Sequence, residues 1–220
     1  MTGMWCMWSG VVVRVKQCKR VVVVSNDTDT FALLLYYTPH LLALGMKEIW
    51  QQYGTGEKRH ILPLHQAVSN LGAPLAKTVI KAHILTRYDY MSKVGTKHAA
   101  MASDPVQYLT NFGEVDTLSD QDTALAEKYL IRVWAGVRSN TTAETFDDLR
   151  LENDSSARGW IDALPPTSSM IRGHIQRGAF LVHNACHIFK TAKEPMERLA
   201  WDHWSMDGRS TLVHYCHQKD

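Results

Sequence analysis

No stretch of this chain approaches the ~20 apolar residues that a membrane-spanning helix requires, so no membrane partner is expected. Cysteine is sparse and dispersed: Cys6, Cys18, Cys186 and Cys216 form no C-x-x-C pair. That scatter argues against a disulfide framework and points to free thiols in a reducing compartment. The mostly apolar segment from Met4 to Val13 has no Lys or Arg before it and no clear small-residue cleavage site after it. A secretory signal is therefore not supported, and an intracellular protein is expected. Gly54-Thr55-Gly56-Glu57-Lys58 is rich in glycine, yet no Gly-Lys-Ser/Thr follows it. A tight turn is expected there, not a phosphate loop. Neither charge sign dominates, and a formal net charge of +2 neither demands nor opposes a nucleic-acid partner, since a local basic patch would suffice. There is no internal repeat and no low-complexity tract.

What is present suits a globular protein with a real core. Hydrophobic residues make up 45% and charged residues 21% of 220 positions, the balance of one ordinary domain or one with an appendage. The run Val21-Val22-Val23-Val24 is β-branched throughout, the pattern of a strand covered on both faces in a parallel sheet. Gly10–Val15 is a second β-like run. Phe31–Leu44 has helical character, and Thr38-Pro39 is expected to divide it into two pieces. Met46–Tyr53 alternates well enough for the next strand, and β-α-β order predicts an α/β sheet. From Leu64 onward helices dominate: Leu64–Asn70, Pro74–Leu85, then short ones over Lys97–Ser103 and Pro105–Asn111. Ser119-Asp120-Gln121-Asp122 opens a longer helix to Trp134, with a capping box and the stripe Leu125, Tyr129, Arg132, Val133. Thr145–Leu151 is a further short helix and Glu152–Gly159 a polar loop. A long helix runs from the Pro165-Pro166 region to about Phe189. Asp207-Gly208 predicts a hairpin near the end of the chain.

Chemistry concentrates where the valine strand stops. Ser25-Asn26-Asp27-Thr28-Asp29 places two carboxylates two residues apart, at the strand end beyond which ligands bind in open α/β sheets. Carboxylate oxygens at such an edge suit Mg²⁺. The same residues also suit helix N-caps for the helix that follows, and spacing leaves both readings open. A third acid, Asp89, follows the helical pattern that ends Ala82-His83-Ile84-Leu85-Thr86. If the three acids converge they could hold metal for phosphodiester chemistry. After Asp89 come a short loop, Gly95, Thr96 and a helix start with Lys97 in its first turn. A helix start behind a glycine offers bare amides to a phosphate, and an ordinary glycine turn fits the same residues.

Asp27-Thr28-Asp29 before an apolar helix, with Leu85-Thr86-x-x-Asp89-x-x-Ser92-Lys93-x-Gly95-Thr96-Lys97, resembles the flap-endonuclease branch of the PIN-like nucleases. More closely, the chain resembles uncharacterised, multicopy, transposon-associated animal proteins of that superfamily. Tyr53-Gly54-Thr55-Gly56-Glu57-Lys58, Leu164-Pro165-Pro166-Thr167-Ser168-Ser169 and Ile171-Arg172-Gly173-His174-Ile175 belong to the same pattern, which covers about Lys19 to Phe189. The resemblance implies a three-layer α/β/α domain with a small, mostly parallel sheet, followed by a largely helical C-terminal half. It implies a core over 19–118 after an atypical segment 1–18, a helical extension over 119–190 and a tail over 191–220 with a hairpin. It implies cleavage with Mg²⁺ or Mn²⁺ held by Asp27, Asp29 and Asp89 as the catalytic and metal-binding acids, and a nucleic-acid partner, DNA before RNA. Gly95, Thr96 and Lys97 would then hold the backbone of that partner, and a nuclear location follows from the transposon link. Two departures are visible. Met1–Gly10 supplies no carboxylate where relatives carry a Glu-Glu-Ala-Asp-Thr-like helix, and Arg87-Tyr88 stand where relatives have Gly-Cys. Arginine stays cationic and competes for the charge site beside Asp89. A degenerate or truncated nuclease domain is thus expected, the alternative being a non-catalytic nucleic-acid or protein-binding module of transposon origin.

Arg172, Gln176 and Arg177 on the last long helix are candidates for phosphate contact, against a solvated helix face. His183 and His187 stand four residues apart with Cys186 beside them, and His214-x-Cys216-His217 lies near the end of the chain. Helical His pairs bind zinc, but four ligands at finger-like spacing are not visible. Trp50, Trp134 and Trp160 fit core or partial core better than base-stacking platforms.

Overall fold

The computed structural model describes residues 19–88, 91–115, 117–136, 140–154, 164–191 and 212–215. They form two compact units, one of residues up to Ala76 and from His187 onward, the other Lys77–Cys186. Helices dominate in a mixed α/β protein.

The first unit is built on strands β1 (Arg20–Val24), β2 (Glu48–Tyr53), β3 (His60–Pro63) and β4 (Leu212–Tyr215), in the sheet order β3-β2-β1-β4. β1 and β2 pair in parallel, with Arg20 opposite Glu48 and Val24 opposite Gln52. β4 pairs antiparallel with β1, and β3 antiparallel with β2. The sheet is therefore mixed and not mostly parallel. The β2–β3 link is too short for a crossover: a single 3₁₀ turn at Gly56–Lys58 returns the chain, which permits only an antiparallel neighbour. This turn fits the tight turn expected from Gly54–Lys58, whereas strand β3 has no alternating pattern and was not expected. Leu212–Tyr215 pairs with β1. The other half of the expected hairpin, the expected Gly10–Val15 run and Trp160 lie outside the described residues.

Between β1 and β2 runs α1 (Thr28–Ala43), with Pro39 inside it. The expected break at Thr38-Pro39 does not occur. Proline removes the amide that would bond the Leu35 carbonyl, and the helix continues through it because it is held by burial. Ala32, Leu33, Leu34 and Leu35 are all buried, so α1 is covered on more than one side. α2 (Leu64–Leu71) packs on α1 and β2. In β1, Val21 and Val23 are buried and Val22 and Val24 half-buried. Arg20 donates two hydrogen bonds to Glu48, at 2.6 and 2.8 Å, and Trp50 adds a third at 3.0 Å. The Arg20 guanidinium and the Trp50 indole N–H together hold the Glu48 carboxyl down to about 2.

α3 (Ala73–Arg87) leads into the second unit, followed by α4 (Lys97–Ala102), α5 (Pro105–Leu109), α6 (Asp120–Ala135), α7 (Phe146–Asp154) and α8 (Ser168–Thr191). The Ser119 capping box forms as expected. Its Oγ accepts from the Asp122 amide at 3.0 Å and donates to the Asp122 carboxylate at 2.6 Å. Thr145 and Asp148 repeat that exchange ahead of α7. α7 runs three residues into the expected Glu152–Gly159 loop because Glu152 is itself engaged, accepting from Thr142. Tyr129 and Val133 of the expected α6 stripe are buried, while Arg132 is exposed. Trp50 is half-buried, and Trp134 stands at the surface, edge-on to the buried Phe146.

Lys81 and His174 are among the polar side chains buried in these helices. The Lys81 ammonium donates to the Thr110 carbonyl and to Glu114, both at 2.6 Å. His174 of α8 lies 2.7 Å from the Leu85 carbonyl through Nε2, which as the protonated nitrogen donates that bond. Burial, reinforced by the nearby Arg177 charge, pushes the His174 pKa below its usual 6.5 despite that bond. The folded state thus prefers neutral His174. The unfolded chain binds the extra proton first, so stability falls as pH drops through 6.5. His174→Gln, which retains a donor for Leu85, is expected to flatten that fall in urea unfolding midpoints measured between pH 7 and pH 5.

Candidate acidic edge and the exposed face of the last helix

The end of β1 is fixed by β2. The Ser25 amide donates to the Gln52 carbonyl at 2.9 Å, and the Gln51 side-chain amide donates to the Ser25 carbonyl at 3.0 Å. Asn26 Oδ1 accepts from the Gly54 amide at 2.6 Å. The chain leaves the sheet at a set point, and Asp27 comes next.

Asp27 is the N-cap of α1, in extended conformation. Its Oδ1 accepts from the Asp29 amide at 2.9 Å, and its own amide donates to Ser25 Oγ at 3.2 Å. Asp29 sits in the first turn, where a carboxylate also favours the helix dipole. The capping reading of this pair is thus realised in the geometry. Capping uses one oxygen of Asp27, and the carboxylate has a second. Gln51, 3% exposed, holds a buried Oε1 with no hydrogen-bond partner among the described residues. Its amide nitrogen is bound to Ser25, two residues before Asp27. The edge offers the carboxylate oxygens of Asp27 and Asp29, the donor type that Mg²⁺ and Mn²⁺ accept.

Asp89 lies outside the described residues, so its position relative to Asp27 and Asp29 is not part of this geometry. Among the described residues no three His, Cys, Asp or Glu side chains group as a metal site. After that position Met91 donates to the Tyr88 carbonyl at 2.8 Å, and Val94 to the Thr86 carbonyl of α3 at 2.9 Å.

Gly95 has φ +63°, and a Cβ there would come within 2.5 Å of Val133 Cγ1 and 2.9 Å of the Val133 carbonyl oxygen. Thr96 caps α4, its Oγ1 accepting from Ala99 at 3.1 Å. Lys97 begins α4 as expected, a helix of six residues. Gly95 and Thr96 thus have structural reasons of their own to be glycine and threonine.

α8 buries Ile171, Ile175, Ala179 and Val182, whereas Arg172, Gln176, Arg177 and Phe180 are exposed. An open groove of about 410 Å³ is lined by Met91, Gln176, Arg177, Phe180 and Leu181. Phe180 is the residue that sequence reasoning missed. It sits four residues past Gln176 and eight past Arg172, so helical spacing already puts it on their row.

No family model, curated protein or solved structure matches the chain. Among the described residues no helix is long and apolar enough to cross a membrane.

Asp27→Ala is expected to destabilise the protein by about 1 kcal/mol through loss of the cap, with Asp27→Asn close to wild type, since asparagine caps as well as aspartate. Chemical denaturation of both variants checks this. Gly95→Ala combines an unfavourable φ with contact against Val133 backbone. It is expected to lower the thermal midpoint more than Asp27→Ala does.

Proposed function

We propose that the chain is a PIN-like, flap-endonuclease-like domain, three-layered in plan, acting on nucleic-acid phosphodiesters in a degenerate form. One observation supports this reading: two carboxylates stand at the carboxyl end of a parallel strand, at the crossover into α1. Asp27 and Asp29 would hold Mg²⁺ or Mn²⁺ there together with Asp89. Bound at that edge, the ion would supply Lewis-acid activation of water and offset negative charge at phosphorus. The protein's own part is orientation: the β2 contacts of Ser25 and Asn26 hold the edge, and the cap bond fixes one oxygen of Asp27. Weak activity follows from the small number of carboxylates and from Arg87, two residues before Asp89 in the sequence, whose permanent charge would compete with a cation. Gly95, Thr96, Lys97 and Arg172 would contact the nucleic-acid backbone, and DNA as partner makes the nucleus the place of action.

A second reading is favoured by the cap itself. Capping alone accounts for an acid at position 27, which suits a non-catalytic nucleic-acid or protein-binding module of transposon origin.

The two readings separate in a cleavage assay on branched and single-stranded DNA with Mn²⁺, using wild type, Asp27→Asn and Asp29→Asn. The nuclease reading expects weak wild-type cleavage and a loss of about tenfold or more in each variant, since even changes outside the ligand set cost that much. Equal cleavage by all three proteins removes it. No cleavage by any of them, with salt-sensitive DNA retention in EDTA, marks the binding module instead.

A further inference from the structure

The groove on α8 carries chemistry that the acidic edge does not use. Phe180 is 67% exposed, and so is Met170 at the start of the helix. The other exposed side chains on this part of α8 are cationic or neutral: Arg172 and Gln176 on the row of Phe180, and Arg177. Residues 168–191 contain no Asp or Glu at all. Arg177 folds back along the helix toward Arg172, its Nη1 3.7 Å from where a Cβ at Gly173 would be. On the other side, Gly178 lets the chain come close: a Cβ there would meet Leu85 Cδ2 at 2.7 Å and Met91 Cε at 3.5 Å. Met91 thus forms one wall of the groove and Phe180 another.

An exposed aromatic ring on the same helix as two exposed arginines, with no acid on that helix, complements a ligand that is polyanionic and has flat apolar faces. A single-stranded nucleic acid is both, because its bases are free to stack while its phosphates pair with arginine. A duplex offers the phosphates but keeps its base faces closed, which would leave Phe180 in water. The geometry points to this face of α8 as a docking site for single-stranded nucleic acid, Phe180 stacking on a base and Arg172 and Arg177 contacting phosphates. The class of partner rests on the nucleic-acid reading above, but the contact needs neither metal nor cleavage.

The test is fluorescence anisotropy of the full chain with a labelled oligo-dT probe in EDTA, so that failure of the nuclease reading leaves the outcome intact. Phe180→Ala is expected to weaken binding about tenfold or more, the usual cost of losing one base stack. Arg172→Ala with Arg177→Ala is expected to weaken it and to reduce the salt slope by about 1.4, as two single-strand phosphate contacts require. Wild-type affinity in these variants overturns the proposal, as does failure of the wild type to bind. A poly-Glu peptide that binds as tightly as the probe, with the same sensitivity to Phe180→Ala, overturns it in favour of an acidic protein partner.

Discussion

The parallel pairing of Arg20–Val24 with Glu48–Tyr53 holds the first unit together. Both its ends are tied. At the start Arg20 faces Glu48 in a two-bond ion pair; at the finish Gln51 holds the Ser25 carbonyl and Asn26 holds the Gly54 amide. An exposed ion pair of this kind contributes little to stability. Its value is in register. A slip of one residue would turn Val21 and Val23 out of the core and rotate the point at which the chain leaves the sheet. The position of Asp27, and with it the acidic edge, depends on that register being held.

The second unit depends on polar ties inside an apolar packing. Lys81 has a side chain 1% exposed, which is tolerable only because the Thr110 carbonyl and Glu114 both accept from it. His174 is bound to the Leu85 carbonyl, so α8 is attached to α3 by a directed bond, with Gly178 of α8 close to the Leu85 side chain. Directed bonds fix the rotation of a helix about its own axis more sharply than apolar contact does. With His174 inward, Arg172, Gln176 and Phe180 are left outward. The groove chemistry of α8 is in that sense set by a histidine that takes no part in it.

Asp27 illustrates how two chemistries share one residue. The carboxylate that starts α1 is the same one that would serve a cation, and capping engages only one of its oxygens. Spacing could not separate these uses because both demand an oxygen acceptor at the strand-to-helix turn. Local patterns that demand a single thing were easier. The β-branched run gave β1, the Ser119–Asp122 box started α6, and Gly54–Lys58 formed a turn. Pro39 went the other way, since its lost hydrogen bond is a local penalty and the burial of α1 outweighs it.

The amino-acid order was enough to determine the β-α-β opening, the helical remainder, the turn-forming segments and the residue types at the acidic edge, because each follows from contacts within a few positions. The partners of the strands were decided only in three dimensions. Whether Leu212–Tyr215 joins β1, or His60–Pro63 turns back on β2, depends on which unpaired edge is available. Tertiary packing likewise decided that Lys81 goes inside and Phe180 outside. Each stands in an ordinary helical pattern, and the side a residue faces is settled by what its helix packs against.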